Sequence, residues 1–361
     1  MLSLPASDPS AVGEVRRSVD RAGRLAGLDE ESLARLKLVC TEATENLVRH
    51  GGGGEVLVGI RTIEGRPTVE LIALDRGPGI EDIAAALVDG HSGAGTAGCG
   101  LGALQRLSDG FDLHSVVGAG TALLSRVRSR TTPAPLAARA GQAGQAVLDV
   151  LDVLDVGAVR VAYPGEHRCG DAWRARAEPG AHALCLVDGL GHGDAAADAA
   201  EAALRGFDEG AGTGPAARLA LMSAASHGTR GSVGSVVTCR VPAGGNELAL
   251  EHAGIGNVST AVHGPGRRPG ELPTTAGTLG REDLVARTGR GTLGRDGLII
   301  MHSDGLALPD PFARRDGLVR RDPTLIAAVL YRDGTTRRDD CAVLVARPAS
   351  TTVASRTVAR S

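Results

Sequence analysis

The first residues that could do chemistry are a carboxylate and an amide on one helix, followed by a carboxylate in a later loop. Glu42 and Asn46 are four residues apart within a helical apolar pattern, so their side chains share one helix face. An amide oxygen can hold Mg²⁺, and a carboxylate one turn away can orient or deprotonate a hydroxyl. Asp75 follows a predicted strand, and Gly77 and Gly79 after it allow a ligand to approach the backbone. Together they predict a nucleotide site, although each feature alone is also typical of a solvated helix face or a simple turn.

Four aspartates in the second half of the chain share a context: Asp188, Asp304 and Asp339 stand beside predicted strands, and Asp171 follows Cys169-Gly170. Carboxylates at the ends of adjacent buried strands can converge at one sheet edge, where their repulsion raises their pKa values. Divalent cations relieve that repulsion, and two such ions about 4 Å apart can activate a water and clamp a phosphoryl group. Each Asp alone could equally be a turn or cap residue, so the prediction of a metal site rests on the set.

Two groups of elements must position these residues. Apolar periodicity and turn residues predict, in the first group, helices over 32–50 and 101–108 and strands over 56–60, 69–74, 111–117 and 121–127. The helix over 101–108 follows a glycine-dense segment, and its N-terminal N–H groups favour an anion such as a phosphate. In the second group we predict helices over 194–207 and 215–227 and strands over 183–187, 233–241, 247–252, 297–301 and 341–346.

Length and composition divide the chain and exclude several classes of protein. With 361 residues, two domains are expected, and the Pro-, Ala- and Gly-rich segment 129–144 reads as a flexible linker between domains over 1–128 and 145–348, with a flexible tail over 349–361. The net charge of −3 argues against a nucleic-acid partner, and the apolar runs are far shorter than the about 20 residues of a membrane span. Six cysteines without a CxxC pair fit a reducing cytoplasm.

The first domain resembles the GHKL (Bergerat-fold) ATP-binding family, in particular its RsbT-like switch-protein serine kinases. The resemblance spans residues 10–128 and rests on the stretches TEATENLVRHGGGG, DRGPGIEDI, DGHSGAGTAGCGLGALQRLSDGF and SVVGAGT. It implies an α/β sandwich with helices on one face of a mixed sheet, binding ATP and Mg²⁺. It further implies a catalytic base at Glu42, a Mg²⁺ ligand at Asn46, adenine contacts by Asp75, Gly77, Gly79 and Thr121, and a phosphate lid containing Gly98, Gly100 and Gly102.

The second domain resembles the PPM-type serine/threonine phosphatases of the SpoIIE and RsbX branch, over residues 150–347. The stretches CGDAW, VDGLGHG, MHSDGLA and RDDCAVLVA carry this resemblance, which implies an αββα sandwich. Family members usually have Thr where this chain has Ala342 and Gly where it has Cys169, but neither change removes an oxygen ligand. The resemblance implies that two Mn²⁺ or Mg²⁺ ions are bound by Asp171, Asp188, the carbonyl of Gly189, Asp304 and Asp339. Of these, Asp188 and Asp304 would be central to catalysis. Asp340 would assist the ligands, and His192 would shape the loop.

The two resemblances together imply a fused α+β regulator with opposing activities. We expect an ATP-dependent serine kinase-like domain and a metal-dependent phosphoserine phosphatase domain that act on a STAS-domain partner of the anti-sigma-antagonist type, in sigma-factor control or a stress response. One alternative is that the first domain is a non-catalytic ATP-binding clamp for a sigma factor or partner, and that only the phosphatase is catalytic. Another is a metal-binding scaffold with neither activity. The sequence leaves the partner, the target serine, the preferred metal and the oligomeric state open.

Overall fold

The computed structural model describes residues 1–63, 65–88, 100–130, 153–242, 247–264, 270–281, 284–308, 312 and 317–349. Most of the predicted linker, nearly all of the predicted tail, and Gly98 of the predicted lid therefore lie outside the described residues. Two residues assigned to the linker are bonded to the first domain: the Ser129 hydroxyl and the Arg130 N–H both donate to Asp29 Oδ2, at 2.7 and 2.9 Å.

The first domain is one five-stranded sheet with helices on one face. Its elements are β1 (Leu2–Ala6), α1 (Ala11–Ala26), α2 (Glu30–Arg49), β2 (Gly54–Ile63), β3 (Arg66–Leu74), α3 (Ile83–Ala86), α4 (Gly100–Leu107), β4 (Gly110–Val116) and β5 (Gly120–Arg128). The strand order is β1-β2-β3-β5-β4. The prediction of a mixed sheet was wrong, because every pairing in this sheet is antiparallel: the chain forms the hairpins β2–β3 and β4–β5, and β5 lies beside β3 in the opposite direction.

The helix that carries Glu42 and Asn46 follows directly from its sequence. Asp29 caps α2 by accepting a hydrogen bond from the Ser32 N–H at 2.8 Å, and the helix ends just before the glycines at 51–54. Its apolar stripe is buried against the sheet, as the spacing of three and four predicts: Leu33, Leu36, Cys40, Ala43 and Leu47.

The second domain is a four-layer αββα sandwich, which confirms the predicted fold class. Its elements are β6 (Leu154–Val161), β7 (Asp171–Glu178), β8 (Ala181–Gly189), α5 (Asp194–Glu209), α6 (Pro215–Ala225), β9 (Ser232–Arg240), β10 (Leu248–Ile255), β11 (Ser259–His263), β12 (Gly270–Glu271), β13 (Gly289–Leu293), β14 (Leu298–His302), α7 (Pro323–Gly334) and β15 (Cys341–Pro348). The sheets β13-β10-β9-β8-β7 and β12-β11-β14-β15-β6 enclose a common apolar core. Helices α5 and α6 cover the first sheet, and α7 covers the second.

Helix α7 also joins the two domains. Its apolar residues are buried on all sides, and they share one core with residues from both neighbouring sheets. Val343 and Val345 line this core on the second-domain side. The alternation along β2 and β3 places Leu57 and Ile72 on the face of the first-domain sheet opposite α1 and α2, where they pack into the same core. The first-domain sheet is therefore covered by its own helices on one face and by α7 on the other.

Candidate functional sites

The first site lies at the end of β3, where Asp75 is held by the neighbouring strand β5. The N–H of Asp75 donates to the Thr121 carbonyl at 2.9 Å, and Asp75 Oδ1 accepts from the N–H groups of Gly77 at 2.8 Å and Thr121 at 3.0 Å. The carboxylate is nearly buried, with 9% of the residue exposed. Since both bonds go to Oδ1, the second oxygen, Oδ2, can accept from an amino group such as that of adenine.

Close backbone contacts shape the loop after Asp75 and require glycine. A Cβ atom at Gly77 would lie 2.7 Å from the carbonyl oxygen of Gly51, closer than real Cβ contacts allow. At Gly79 φ is +75°, and a Cβ would lie 2.3 Å from the Val116 carbonyl oxygen. Both glycines thus keep the loop packed against the end of α2 and the β4–β5 turn. Their role in shaping an adenine pocket stays a prediction.

The structure brings the α2 residues close to this loop and to the start of α4. Glu42 is half-buried, and its Oε1 accepts from the N–H of Gly100, the first residue of α4, at 3.1 Å. Asn46 is half-buried one turn later, and its carbonyl accepts from Gly51, whose Cα lies against Asp75. Gly102 is buried within α4. Glu42 therefore contacts the N-terminus of α4, and the end of α2 packs beside Asp75; that the Asn46 amide joins them in one site stays a prediction.

The second site is centred on two carboxylates paired across neighbouring strands. Asp171 begins β7 and lies directly opposite Asp188 near the end of β8. Asp171 is fully buried; its Oδ2 accepts from the Ser303 hydroxyl at 2.6 Å, and its Oδ1 has no hydrogen-bond partner among the described residues. A buried oxygen left without a partner is costly, so this arrangement suits a cation that would bind Oδ1.

Asp304 lies near this pair but follows β14 of the other sheet, so the prediction that the four aspartates converge at one sheet edge was wrong. It follows Ser303, and its Oδ2 accepts from the side-chain Nδ2 of Asn257 at 2.7 Å. Asn257 lies in the β10–β11 turn and was not identified from the sequence, because a single Asn in a turn carries no signal beyond the turn itself. Its amide fixes the Asp304 carboxylate and identifies Asn257 as a further residue of the site.

Asp339 and Asp340 precede β15 and have different environments. Asp339 is half-buried, and its Oδ1 accepts from the Asp340 N–H at 2.8 Å. Asp340 is buried, and its two oxygens accept from the N–H groups of Tyr163 and Gly170, each at 2.7 Å. Asp340 therefore fixes the segment that leads into Asp171, which is an indirect way of assisting the site.

The loop after β8 is held by glycine packing and by contacts of a histidine ring. A Cβ at Gly189 would lie 2.1 Å from the Ala196 carbonyl oxygen at the start of α5, so the loop tolerates no side chain there. His192 Nδ1 lies 2.8 Å from Glu166 Oε1, and its ring stacks on Tyr163 with 4.6 Å between centroids. These contacts support a loop-shaping role for His192.

Two carboxylates of the second site, Asp171 and Asp188, have raised pKa values and hold protons more strongly than isolated carboxylates. Burial raises the pKa of Asp188 to about 8, and the nearby charges of Asp304, Asp339 and Asp340 add to the effect. Burial, followed by the charge of Asp188, raises the pKa of Asp171 well above its usual value. The direction of both shifts agrees with the repulsion that the sequence predicts.

We therefore expect the metal-free protein to lose stability as pH rises. The pKa of Asp188 is raised in the folded state, so its contribution to stability is present below about pH 4 and is lost as pH rises towards 8. Denaturant unfolding in EDTA between pH 5 and 8 measures this slope, and the Asp188→Asn variant should show a smaller one. Equal slopes for the two proteins would contradict the expectation.

The fit of divalent cations to these residues is partial. Within the described ranges, no three Asp, Glu, His or Cys side chains are arranged closely enough to hold one ion among them. The unpartnered Oδ1 of Asp171 and the opposed carboxylate of Asp188 nevertheless fit cation binding. Hard cations such as Mg²⁺ bind proteins through one or two carboxylates and keep several waters, so two carboxylates and a backbone carbonyl suffice. The individual ligand assignments stay predictions.

Comparison with known proteins supports the N-terminal assignment. Residues 5–126 match the family described as histidine kinase-like ATPase domain, which confirms the resemblance drawn for the first domain. The chain is 38% identical over 88 residues to the serine/threonine-protein kinase RsbT of Bacillus subtilis (strain 168). That match covers 24% of this chain and 66% of RsbT, so about a third of the kinase lies outside it.

Two solved structures are similar to this chain. The crystal structure of RsbX in complex with magnesium matches with a TM-score of 0.49 and 20% identity, over 56% of this chain and 98% of RsbX. The structure of the PP2C phosphatase domain and part of the regulatory domain of SpoIIE from Bacillus subtilis matches with a TM-score of 0.44 and 14% identity, over 95% of this chain and 94% of that one. In the part of our chain that the structure describes, no helix combines the length and apolarity needed to cross a bilayer.

Proposed function

We propose that this chain, whose residues 5–126 match the histidine kinase-like ATPase family, is a bifunctional signalling enzyme. The first domain binds ATP with Mg²⁺ and phosphorylates a serine, and the second domain removes phosphate from phosphoserine with divalent cations. The observation that carries the phosphatase proposal is the facing pair Asp171 and Asp188 with an unpartnered buried oxygen. Cytoplasmic localisation is part of the proposal, since every cysteine of the described residues is a free thiol.

The second domain would position its phosphate substrate through fixed carboxylates. Asp171, Asp188, the Gly189 carbonyl, Asp304 and Asp339 would hold the cations, which when bound supply Lewis acidity and an activated water. The Ser303 hydroxyl fixes one oxygen of Asp171, so that the other faces the site. The Asn257 side-chain amide likewise fixes one oxygen of Asp304. Such fixed ligands avoid the cost of reorganisation when charge develops on the phosphate.

The first domain would align a protein serine with the terminal phosphate of ATP. Asp75 would accept from the adenine amino group through Oδ2, since its Oδ1 is held by the backbone of the neighbouring loop and strand. Asn46 would hold Mg²⁺, and Glu42 would accept the proton of the attacking serine hydroxyl. Phosphoryl transfer then depends mainly on positioning and charge stabilisation.

The proposed partner is a STAS-domain protein of the anti-sigma-antagonist type, and the proposed context is sigma-factor control or a stress response. The sequence similarity to RsbT supports a switch-protein substrate. The alternative is that the first domain only clamps a partner while ATP is bound.

A labelling experiment with the full chain separates the kinase from the clamp. The first domain should not be tested alone, because cutting after residue 128 would expose the apolar sheet face that α7 covers. We suggest incubating the Asp188→Asn variant with γ-labelled ATP, Mg²⁺ and a purified STAS-domain protein, since a wild-type phosphatase site would remove the label. The bifunctional proposal predicts label on serine, removed later by wild-type protein with Mn²⁺. Tight ATP binding without label would favour the clamp.

We expect Asp75→Asn to weaken ATP binding by about 10- to 100-fold, the loss of one hydrogen bond to a charged group. Asn keeps an oxygen for the two backbone donors but places an amide NH₂ where Oδ2 would accept from adenine. Fluorescence titration with a labelled ATP analogue measures the affinity. Asp82→Asn is the control, because Asp82 caps α3 in the same domain and is not assigned to the site. Unchanged affinity for Asp75→Asn would contradict the adenine assignment.

A further inference from the structure

The backbone of the proposed nucleotide site is touched by a residue of the other domain. Arg332, in the last turn of α7, donates from Nη1 to the backbone carbonyl oxygen of Asp75 at 2.9 Å. The next residue along from Asp75 returns the contact, because the Arg76 side chain donates to the Arg332 carbonyl oxygen. Arg332 is only 7% exposed, so its contact lies inside the domain interface.

From this contact we propose that Arg332 of the C-terminal domain is a positioning residue of the N-terminal nucleotide site. It does not reach the nucleotide itself; it holds the peptide of the residue that would bind adenine. The inference rests on the proposed function in one respect, the assignment of Asp75 to the adenine.

The Arg332 guanidinium that contacts Asp75 is also held by a carboxylate of its own helix, α7. Arg332 Nε donates to Asp333 Oδ1 at 2.7 Å, and Nη2 lies 3.3 Å from Asp333 Oδ2, a two-point contact typical of Arg with a carboxylate. Two of the nitrogens are therefore engaged on α7, and the third is aimed at the first domain. A donor fixed in this way loses little side-chain entropy when it holds its acceptor.

The carbonyl oxygen that Arg332 holds sits in crowded surroundings. A Cβ at Gly120 would lie 2.2 Å from it, so the β5 backbone passes directly beside the contact. The side chain of the same Asp75 accepts hydrogen bonds from the N–H groups of Gly77 and Thr121. Loss of the Arg332 bond would leave a buried carbonyl short of a donor and would loosen the orientation of this carboxylate.

One consequence is that the nucleotide site is complete only when α7 is docked on the first domain. If docking of α7 strengthens nucleotide binding, then bound nucleotide must stabilise the docking of α7 by the same free energy, because coupling between two sites is reciprocal. The end of α7 also contacts the loop after Asp304, since the Ala307 N–H donates to Gly334 and the Thr336 N–H donates to Gly305, at 2.9 and 3.0 Å. The residue that positions Asp75 thus belongs to a segment bonded to both sites.

The test compares three variants of the full chain. Arg332→Ala should weaken binding of a fluorescent ATP analogue about tenfold, the loss of one charge-assisted hydrogen bond behind the binding residue. Arg332→Lys should recover part of the affinity, because an ammonium can donate to the same oxygen. The control is Arg337→Ala, which removes the cross-domain contact of Arg337 with Glu55 at 2.8 Å but does not touch Asp75. Its affinity should equal that of wild type.

Hydrogen exchange provides a readout that needs no nucleotide. In Arg332→Ala, the amides of Gly77 and Thr121 should exchange at least about tenfold faster, with the rest of the first-domain sheet unchanged. Unchanged exchange at these amides, or an equal loss of affinity in Arg337→Ala, would overturn the positioning role. If wild type binds no ATP analogue, the proposed nucleotide site fails, and the exchange data still decide whether Arg332 positions Asp75.

Discussion

Replacing Asp188 by Asn should lower the rate of Mn²⁺-dependent hydrolysis of p-nitrophenyl phosphate by more than about 100-fold, because even residues that only orient metal ligands cost about 10- to 100-fold when removed. Asp188 lies directly opposite Asp171 in the β7–β8 pair, and Asp171 Oδ1 has no hydrogen-bond partner among the described residues, so we expect these two carboxylates to share a cation. Steady-state rates with and without Mn²⁺ measure the effect, and Asp304→Asn should behave alike.

The controls for this prediction separate loss of metal binding from loss of folding. Asp208→Asn is matched in chemistry, since Asp208 lies in α5 of the same domain and pairs with Arg174 and Arg176 near the surface. That variant should hydrolyse the substrate at the wild-type rate. Thermal unfolding should show that Asp188→Asn is folded, and that Mn²⁺ raises the unfolding temperature of wild type but not of the variant. Hydrolysis by wild type that persists in EDTA would contradict the phosphatase assignment itself.

The sequence predicts helix α2 and the apolar strands 183–187 and 341–346, whereas helix α1 was missed although it too has one buried face. Helix α2 shows its apolar stripe because only that side packs on the sheet. Asp171 and Asp188 could be expected to meet because β7 and β8 are neighbouring strands, whereas Asp304 and Asp339 adjoin β14 and β15 of the other sheet. Helix α7 was missed because it is apolar on every side, so residues 323–334 have no helical periodicity. The only local signals for α7 are the Asp322 cap and Pro323 in the first turn.

The contact between the domains could not be predicted for a related reason. Strand β3 is mostly apolar and is buried on both faces, which is equally typical of a strand covered by helices of its own domain. A linker-like composition suggested two bodies joined by a flexible tether, and nothing local to 129–144 indicates docking. The docked arrangement depends on pairs such as Arg126 with Asp322, which are 196 residues apart in sequence. Asn257 was missed in the same way, because its partner Asp304 is also distant.

Replacing Arg126 by Met should destabilise the protein by about 2–4 kcal/mol, the loss of its charge-assisted hydrogen bonds to Glu70 and Asp322, while Glu70 keeps its contact with Arg61 at 3.3 Å. Glu70 points from β3 towards α7 with a side chain that is 0% exposed, and Arg126 Nε donates to it at 2.9 Å. The same guanidinium donates to both oxygens of Asp322, at 2.6 and 2.9 Å, at the start of α7. These bonds to Arg126 hold the pKa of Asp322 below its usual value although burial acts in the opposite direction.

Urea unfolding of the metal-free protein measures this change in the free energy of unfolding. Two further variants serve as comparisons. Arg321→Met removes a similar cross-domain contact, from Arg321 to Asp112 at 3.3 Å, but Arg321 is 37% exposed and should cost less than about 1 kcal/mol. Adding Glu70→Gln to Arg126→Met should lower the stability further, because the buried Arg61 guanidinium then loses its carboxylate partner. Since α7 shares one core with both sheets, wild type should unfold in a single transition that Arg126→Met separates into two. A wild-type protein that already unfolds in two steps, or an Arg126→Met cost no larger than that of Arg321→Met, would show that the domains fold independently and that this ion-pair network does not hold them together.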